Sequence, residues 1–184
     1  MLIFVCGGVR SGKSSFGEQM AEQLQTDSGR LIYLATAVTT DEEMQQRVKK
    51  HQQDRCAKQK QWETLEWSMQ LEEAAKHLTT DDVVFLDCVT TWLSNEMFQE
   101  SGEMPSEKAL KSKMICAVHA LEAAAKHVVI VSNDIFHEPV SFHPQLFRYV
   151  KVLGELHQYI VLKADTAVRM ECGNHVVMKG GILN

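Results

Sequence analysis

A stretch near the start of the sequence, GGVRSGKS, has the residue types and spacing needed to hold phosphate groups. Its members are Gly7, Gly8, Val9, Arg10, Ser11, Gly12, Lys13 and Ser14. Glycines allow backbone N–H groups to point inward around a phosphate without side chains crowding the loop. Lys13 would direct its charge at the β- and γ-phosphates, and the Ser14 hydroxyl would coordinate Mg²⁺. Because an apolar strand precedes this stretch and a helix follows it, we predict a phosphate loop that binds a nucleoside triphosphate.

An acidic residue is expected beside the magnesium, and Asp87 is the candidate. It ends VVFLD, the strongly apolar strand predicted over Val83–Asp87. The alternative is that Asp87 lies in a turn or caps a helix, since Thr90 and Thr91 follow it. The position at the end of an apolar strand favours the metal-binding role.

A histidine flanked by two arginines lies on one face of the helix predicted over Asp41–Arg55. Arg47, His51 and Arg55 recur at a spacing of four residues. The positive charges disfavour protonation of the imidazole, so that a ring nitrogen of His51 could act as a nucleophile on an anionic substrate. Taken from the residues alone, a solvated polar helix face is the simpler interpretation.

The composition is that of an ordinary globular protein, with 184 residues of which 45% are hydrophobic and 23% charged. This length predicts one domain over residues 1–184. The net charge of −5 disfavours nucleic acid as the main partner. No apolar run approaches the roughly 20 residues that span a bilayer. The cysteines are scattered without a C-x-x-C pair, which predicts reduced thiols in a cytoplasmic protein.

Short β-branched runs alternate with helical stretches, a pattern typical of an α/β protein whose mostly parallel sheet is covered on both faces. The predicted strands are Leu2–Cys6, Leu31–Ala35, Val83–Asp87, Val128–Ser132, Thr166–Glu171 and His175–Lys179. The last two should form an antiparallel hairpin through Gly173-Asn174. The predicted helices are Ser14–Gln25, Asp41–Arg55, Met69–His77, Thr91–Glu100, Ser106–Lys126 and Pro144–Ala164.

Three stretches together resemble the bifunctional adenosylcobinamide kinase / adenosylcobinamide-phosphate guanylyltransferases of cobalamin biosynthesis. The first is the phosphate loop, which is similar to the family's G-G-x-R-S-G-K-S. The second comprises YLAT at 33–36, DEEM at 41–44 and RVKKH at 47–51, similar to Y-[IL]-A-T … D-x-E-M-x-x-R-[IV]-x-x-H. The third is LDCVTTWLSN at 86–95, similar to L-[DE]-C-[LIV]-T-x-W-[LV]-[ST]-N. Phosphate loops are common, but the second and third stretches in this order are specific.

The resemblance implies a RecA-like phosphate-loop fold, a homotrimer and two activities. The family's histidine at the position of His51 attacks the α-phosphorus of GTP, releases pyrophosphate and carries GMP as a phosphoramidate. The kinase step places the γ-phosphate of ATP or GTP on the aminopropanol hydroxyl of adenosylcobinamide. Lys13 and Ser14 would act in that step, with Asp87 near Mg²⁺. From the stripe beside His51 we add Arg47 and Arg55 as candidates for stabilising charge on the phosphate oxygens.

The second half of the sequence departs from the family pattern. The family's S-N-E-V-G is SNDIF at 132–136, and its F-R-D-x-x-G-x-x-N-Q is YVKVLGELHQ at 149–158. Asp134 thus stands in place of a glutamate, Phe136 of a glycine and His157 of an asparagine. Two further hypotheses stay open: a diverged relative with another alcohol or phosphate acceptor, and a nucleotide-binding regulatory protein without turnover.

Overall fold

The computed structural model describes residues 1–37, 60–99, 104–137 and 143–182. The helix predicted over Asp41–Arg55 falls outside these ranges, as do its site candidates. No helix within the described ranges is long and apolar enough to cross a membrane.

The described strands form one seven-stranded sheet with the order β3-β2-β4-β5-β1-β6-β7. Neighbouring strands pair in parallel except β6 and β7, which form an antiparallel hairpin. The strands are β1 (Leu2–Gly7), β2 (Leu31–Ala35), β3 (Trp62–Glu66), β4 (Val83–Asp87), β5 (His127–Asn133), β6 (Thr166–Glu171) and β7 (Asn174–Lys179). The predicted α/β class and the predicted C-terminal hairpin are therefore confirmed.

The helices of the described residues connect these strands and cover the sheet. They are α1 (Lys13–Leu24), α2 (Leu71–Ala74), α3 (Val89–Met97), α4 (Glu107–Ala124) and α5 (Pro144–Lys163). A short 3₁₀ helix over Ala75–His77 continues α2. Two ends follow local sequence signals: Ser106 caps α4 by accepting from Ala109 N–H, and Pro144 occupies the first turn of α5.

Both faces of the central strands are buried, which explains why these strands read as continuous apolar runs. Side chains of a strand alternate between faces, so Val84 and Leu86 join the core beneath α2 to α5. Val83 and Phe85 pack on the opposite face with Met20 of α1. Each buried side chain of this size contributes about 2 kcal/mol of hydrophobic free energy.

One strand was not expected from the sequence. β3 has the sequence WETLE and pairs with β2 at the edge of the sheet. Glu63 and Glu66 are exposed, and the other side chains of β3 are only partly buried. A short, half-polar edge strand lacks the apolar run on which the other predictions relied, and its position depends on pairing with β2.

Asp82, immediately before β4, ties several segments together. Its carboxylate accepts from Arg30 Nε at 3.0 Å, from Arg30 Nη2 at 2.6 Å and from Thr79 N–H at 2.7 Å. Its side chain is 1% exposed, while that of Arg30 is 41% exposed. Burial disfavours the charge, but the hydrogen bonds from Arg30 and Thr79 outweigh it and lower the pKa of Asp82. This carboxylate therefore fixes the start of β2 against the start of β4.

We expect Asp82→Asn to lower the free energy of unfolding by about 2 to 3 kcal/mol, because an amide cannot satisfy the same set of donors. Urea denaturation at pH 7 measures the difference. The matched control is Asp81→Asn at the exposed neighbouring position, for which we expect a change below about 0.5 kcal/mol. Equal stability of the two variants would contradict this account of Asp82.

Candidate active site

The predicted phosphate loop follows β1 and leads directly into α1. Its backbone turns through left-handed conformations at Arg10, with φ of 60°, and at Gly12, with φ of 91°. Ser11 N–H donates to Gly8 O at 3.2 Å, which closes the turn. The first helical residue is Lys13, so the amino end of α1 faces the centre of the loop. Such an end, with its free N–H groups and positive dipole, favours a bound anion.

Lys13 and Ser14, the predicted ligands of phosphate and Mg²⁺, are the first two residues of α1. The Lys13 ammonium donates to Gly8 O at 3.3 Å, so that its charge lies across the mouth of the loop. Ser14 is in the first turn of α1 and is partly exposed. A lysine placed in this way can exchange its carbonyl partner for phosphate oxygens.

The C-terminal hairpin supports the loop from the side of β6. Gly173 N–H, in the turn between β6 and β7, donates to Ser11 O at 3.2 Å. Gly7 lies so close to β6 that an added Cβ would approach Met170 O to 2.7 Å and Ser11 Oγ to 2.6 Å. The sequence predicted this hairpin but not its contact with the loop.

Asp87 lies at the end of β4, as expected for a metal-binding carboxylate. The Tyr33 hydroxyl donates to Asp87 Oδ2 at 2.7 Å, which leaves Oδ1 as the candidate ligand. Thr36 fixes the backbone here, because its N–H donates to Asp87 O at 3.0 Å. Strand β5 lies between β4 and the strand that carries the loop, so Asp87 and Ser14 reach the same edge of the sheet.

The donor set at this edge suits Mg²⁺. A hydroxyl and a carboxylate are the hard oxygen ligands that Mg²⁺ prefers, with water and substrate phosphates completing its octahedron. Among the described residues, no group of three or more His, Cys, Asp or Glu side chains could hold a metal ion. A magnesium here would therefore depend on Ser14, Asp87 and the bound nucleotide.

A polar network beside Asp87 was not predicted from the sequence. Thr90 Oγ1 accepts from Asn133 Nδ2 at 2.8 Å, and Thr90 O accepts from the Tyr149 hydroxyl at 2.8 Å. Asn95 Nδ2 donates to Thr36 O at 2.8 Å. These bonds join α3 to the ends of β2 and β5 and to α5. The signal that could have revealed the network is the polar spacing of Thr90 and Asn95 in the stretch LDCVTTWLSN.

Two departures from the family pattern meet beneath the loop. The rings of Phe136 and His157 pack edge to face with centroids 5.2 Å apart. His157 Nε2 lies 2.7 Å from Ser132 Oγ, and Nδ1 lies 3.9 Å from Cys6 Sγ. Burial lowers the pKa of His157 to about 4, so the imidazole is neutral at pH 7. An added Cβ at Gly154 would lie 3.4 Å from the Phe136 ring, which shows how closely α5 packs on it.

Of the predicted site residues, the structure describes the phosphate loop and Asp87. The three residues of the predicted basic stripe, Arg47, His51 and Arg55, lie outside the described residues. Their roles therefore remain predictions.

The fold agrees with that of a solved protein. A crystal structure of the flagellar accessory protein FlaH from Methanocaldococcus jannaschii superposes with a TM-score of 0.50, covering 98% of this chain and 78% of that one. The sequences are 14% identical, so the likeness concerns the fold alone. This likeness, together with the loop between β1 and α1, indicates that the chain has a RecA-like P-loop NTPase fold.

The sequence comparisons are more specific. The chain belongs to the cobinamide kinase / cobinamide phosphate guanyltransferase family, whose sequence model matches residues 3–178. It is 33% identical to the bifunctional adenosylcobalamin biosynthesis protein CobU of Escherichia coli K12 over 97% of this chain and 100% of that protein. It is 29% identical to CobU of Salmonella typhimurium over the same shares, and 29% identical to CobP of Pseudomonas aeruginosa over 96% of each. The chain is thus an enzyme of a bifunctional kinase and guanylyltransferase family in cobalamin biosynthesis.

We expect Gly7→Ala to lower the free energy of unfolding by about 1 to 3 kcal/mol, because the new methyl group meets the Met170 carbonyl and the loop or β6 must shift. The matched control is Gly8→Ala, since an added Cβ there meets no atom within 4 Å. We expect the control to change stability by less than about 0.5 kcal/mol. Urea denaturation without nucleotide makes the comparison, and equal effects would contradict the close approach at Gly7.

We expect the free energy of unfolding to fall in acid because of His157. Its pKa of about 4 lies below the ordinary value near 6.5, so the unfolded state binds the proton more readily. The stabilisation is complete above about pH 6.5 and declines toward about pH 4, with about 2 kcal/mol lost between pH 8 and pH 5. His157→Asn should lack this part of the decline. Urea denaturation at both pH values tests it, and identical pH dependence of the two proteins would contradict it.

Proposed function

We propose that the enzyme phosphorylates adenosylcobinamide with ATP or GTP and then transfers GMP from GTP to the product, giving adenosylcobinamide-GDP. The observation that carries this proposal is the phosphate loop, with the Lys13 charge across its mouth at 3.3 Å from Gly8 O, in a chain that belongs to this family.

In the kinase step, the nucleotide phosphates would lie in the loop against the amino end of α1. Lys13 would contact the β- and γ-phosphates, and Ser14 with Asp87 would hold Mg²⁺. When bound, that ion neutralises charge on the phosphate oxygens. Backbone N–H groups of the loop would orient the γ-phosphorus toward the acceptor hydroxyl. Binding and orientation of this kind supply most of the catalysis in phosphoryl transfer.

In the transferase step, His51 would be the nucleophile. A ring nitrogen forms a bond to the α-phosphorus of GTP while the bond to pyrophosphate breaks, and GMP then passes to the phosphorylated corrinoid. Arg47 and Arg55 would stabilise the charge that develops on the α-phosphate oxygens.

A second candidate function is the same pair of reactions on a different acceptor alcohol. It is favoured by the packing of Phe136 against His157 beside the loop, where the family pattern has glycine and asparagine. Comparing adenosylcobinamide with simple amino alcohols as phosphate acceptors would separate the two.

We propose a homotrimer in the cytoplasm that uses Mg²⁺ and acts on small molecules rather than on nucleic acid. Sedimentation velocity tests the oligomeric state.

The test of the transferase half is intact-mass spectrometry after incubation with Mg²⁺ and GTP. We expect one GMP added to the wild-type protein and none to His51→Ala, with an acid-labile bond in the adduct. His119→Ala is the matched control, because His119 is half-exposed on α4, and it should still form the adduct.

If the wild-type protein binds GTP but forms no GMP adduct, the transferase half of the proposal is wrong. That result would leave a kinase or a nucleotide-binding regulatory protein. Transfer of labelled γ-phosphate to the corrinoid distinguishes these two remaining cases.

A further inference from the structure

Asp134 lies at the mouth of the phosphate loop, just beyond β5. In the sheet, Asn133 is opposite Gly7 of β1, while Val131 is opposite Asp87 of β4. Asp134 N–H donates to Gly7 O at 3.0 Å, which fixes this residue against the start of the loop. The residue thus follows the strand that separates the candidate metal ligand from the phosphate loop.

The side chain of Asp134 is partly buried, at 17% exposed. Oδ1 accepts from Phe136 N–H at 3.3 Å, and Oδ2 lies 3.4 Å from His137 Nε2. Phe136 is held in turn by its edge-to-face contact with His157. The Asp134 carboxylate is therefore held by its bond from Phe136 N–H. The His137 side chain beside it is 80% exposed.

The charge of Asp134 also acts on the base of the loop. Burial is the main cause that raises the pKa of the Cys6 thiol to about 12, and the Asp134 charge adds to it. The Lys13 charge acts on the same thiol in the opposite direction. Both charged groups therefore lie near the Cys6 thiol at the base of the loop.

This edge therefore has two carboxylates in different surroundings. Asp87 is bonded to a tyrosine hydroxyl and suits the metal, whereas Asp134 is beside the loop and next to an exposed imidazole. Phosphoryl transfer to an alcohol requires loss of the hydroxyl proton, and a carboxylate near the attacking oxygen can accept it. Lys13, as an ammonium group, cannot serve this purpose.

We infer that Asp134 is the proton acceptor of the kinase step, an inference that rests on the proposed kinase activity. The acceptor hydroxyl oxygen forms its bond to the γ-phosphorus with a lone pair. The bond from the γ-phosphorus to the bridging oxygen breaks, and its electron pair leaves with the nucleoside diphosphate. The hydroxyl proton passes to the Asp134 carboxylate and from there to solvent.

The test uses two substitutions in the full chain. Asp134→Asn keeps an oxygen that can accept from Phe136 N–H but removes the basic carboxylate. Asp134→Glu keeps the carboxylate and matches the glutamate of the family pattern. Kinase turnover is measured as transfer of labelled γ-phosphate from ATP to adenosylcobinamide over a Mg²⁺ titration, and GMP adduct formation with GTP is measured beside it.

We expect Asp134→Asn to lower the kinase kcat by about 10² to 10³-fold, with less than about threefold change in the KM for ATP. The Mg²⁺ requirement and the yield of GMP adduct should stay as in the wild type. Asp134→Glu should retain kinase turnover within about tenfold.

Near wild-type kcat in Asp134→Asn would overturn the inference. Recovery of the kinase kcat of Asp134→Asn at high Mg²⁺ would also overturn the inference, because it would show that the carboxylate acts on the metal. A parallel loss of kinase turnover and GMP adduct, or inactivity of both variants, would indicate a structural role and overturn it equally. Wild-type protein that forms the adduct but phosphorylates no corrinoid would instead refute the proposed kinase function.

Discussion

The candidate site depends on the way β1 is held between two parallel neighbours. β5 and β6 pair with β1 along its length up to Gly7, where the phosphate loop begins. The last carbonyl of the strand accepts from Asp134 N–H, and the loop itself accepts from Gly173 N–H. Within the loop, the bond from Ser11 N–H to Gly8 O closes the turn. The bonds to Gly7 O and Ser11 O come from outside the loop, so its shape also depends on β5 and on the C-terminal hairpin.

Parallel pairing also explains why the chemical groups lie together. The carboxyl ends of parallel strands share one edge, so the loop after β1, Asp87 on β4 and Asp134 after β5 all lie at that edge, on three neighbouring strands. The hydroxyl of Tyr33 on β2 then orients the Asp87 carboxylate. The strand order β2-β4-β5-β1 places these residues at one edge. Their spacing in the sequence does not determine this arrangement.

Local sequence signals predicted much of this fold and part of this site. The buried strands were recognisable because their side chains are apolar on both faces, and the phosphate loop because its glycines and lysine have fixed spacing. β3 was missed because its polar alternation resembles a loop until it pairs with β2. The contact of Gly173 with Ser11 and the bond from Tyr33 to Asp87 join distant segments, and no local pattern encodes such contacts. The predicted role of His51 depends on the resemblance to the family, since it lies outside the described residues.

Three of the departures from the family pattern, Asp134, Phe136 and His157, form one structural unit. Phe136 packs on His157, Gly154 lies beside the Phe136 ring, and Asp134 accepts from the Phe136 backbone. A large ring in place of glycine requires space on α5, so changes at these positions are expected to depend on one another. This unit is next to the phosphate loop, because Asp134 N–H donates to Gly7 O.

The hydrogen bond between Gly173 and Ser11 limits the order in which the protein can fold during its synthesis on the ribosome. The loop is synthesised long before the strand and turn that support it, because β6 and its hairpin follow it at a distance in the sequence. Pairing between such distant segments cannot form until both have left the exit tunnel. Until β6 and its hairpin have been made, a nascent chain would therefore carry the phosphate-loop sequence without the support that shapes the loop. Nucleotide could then stabilise the finished protein, but it could not guide the early stages of its folding.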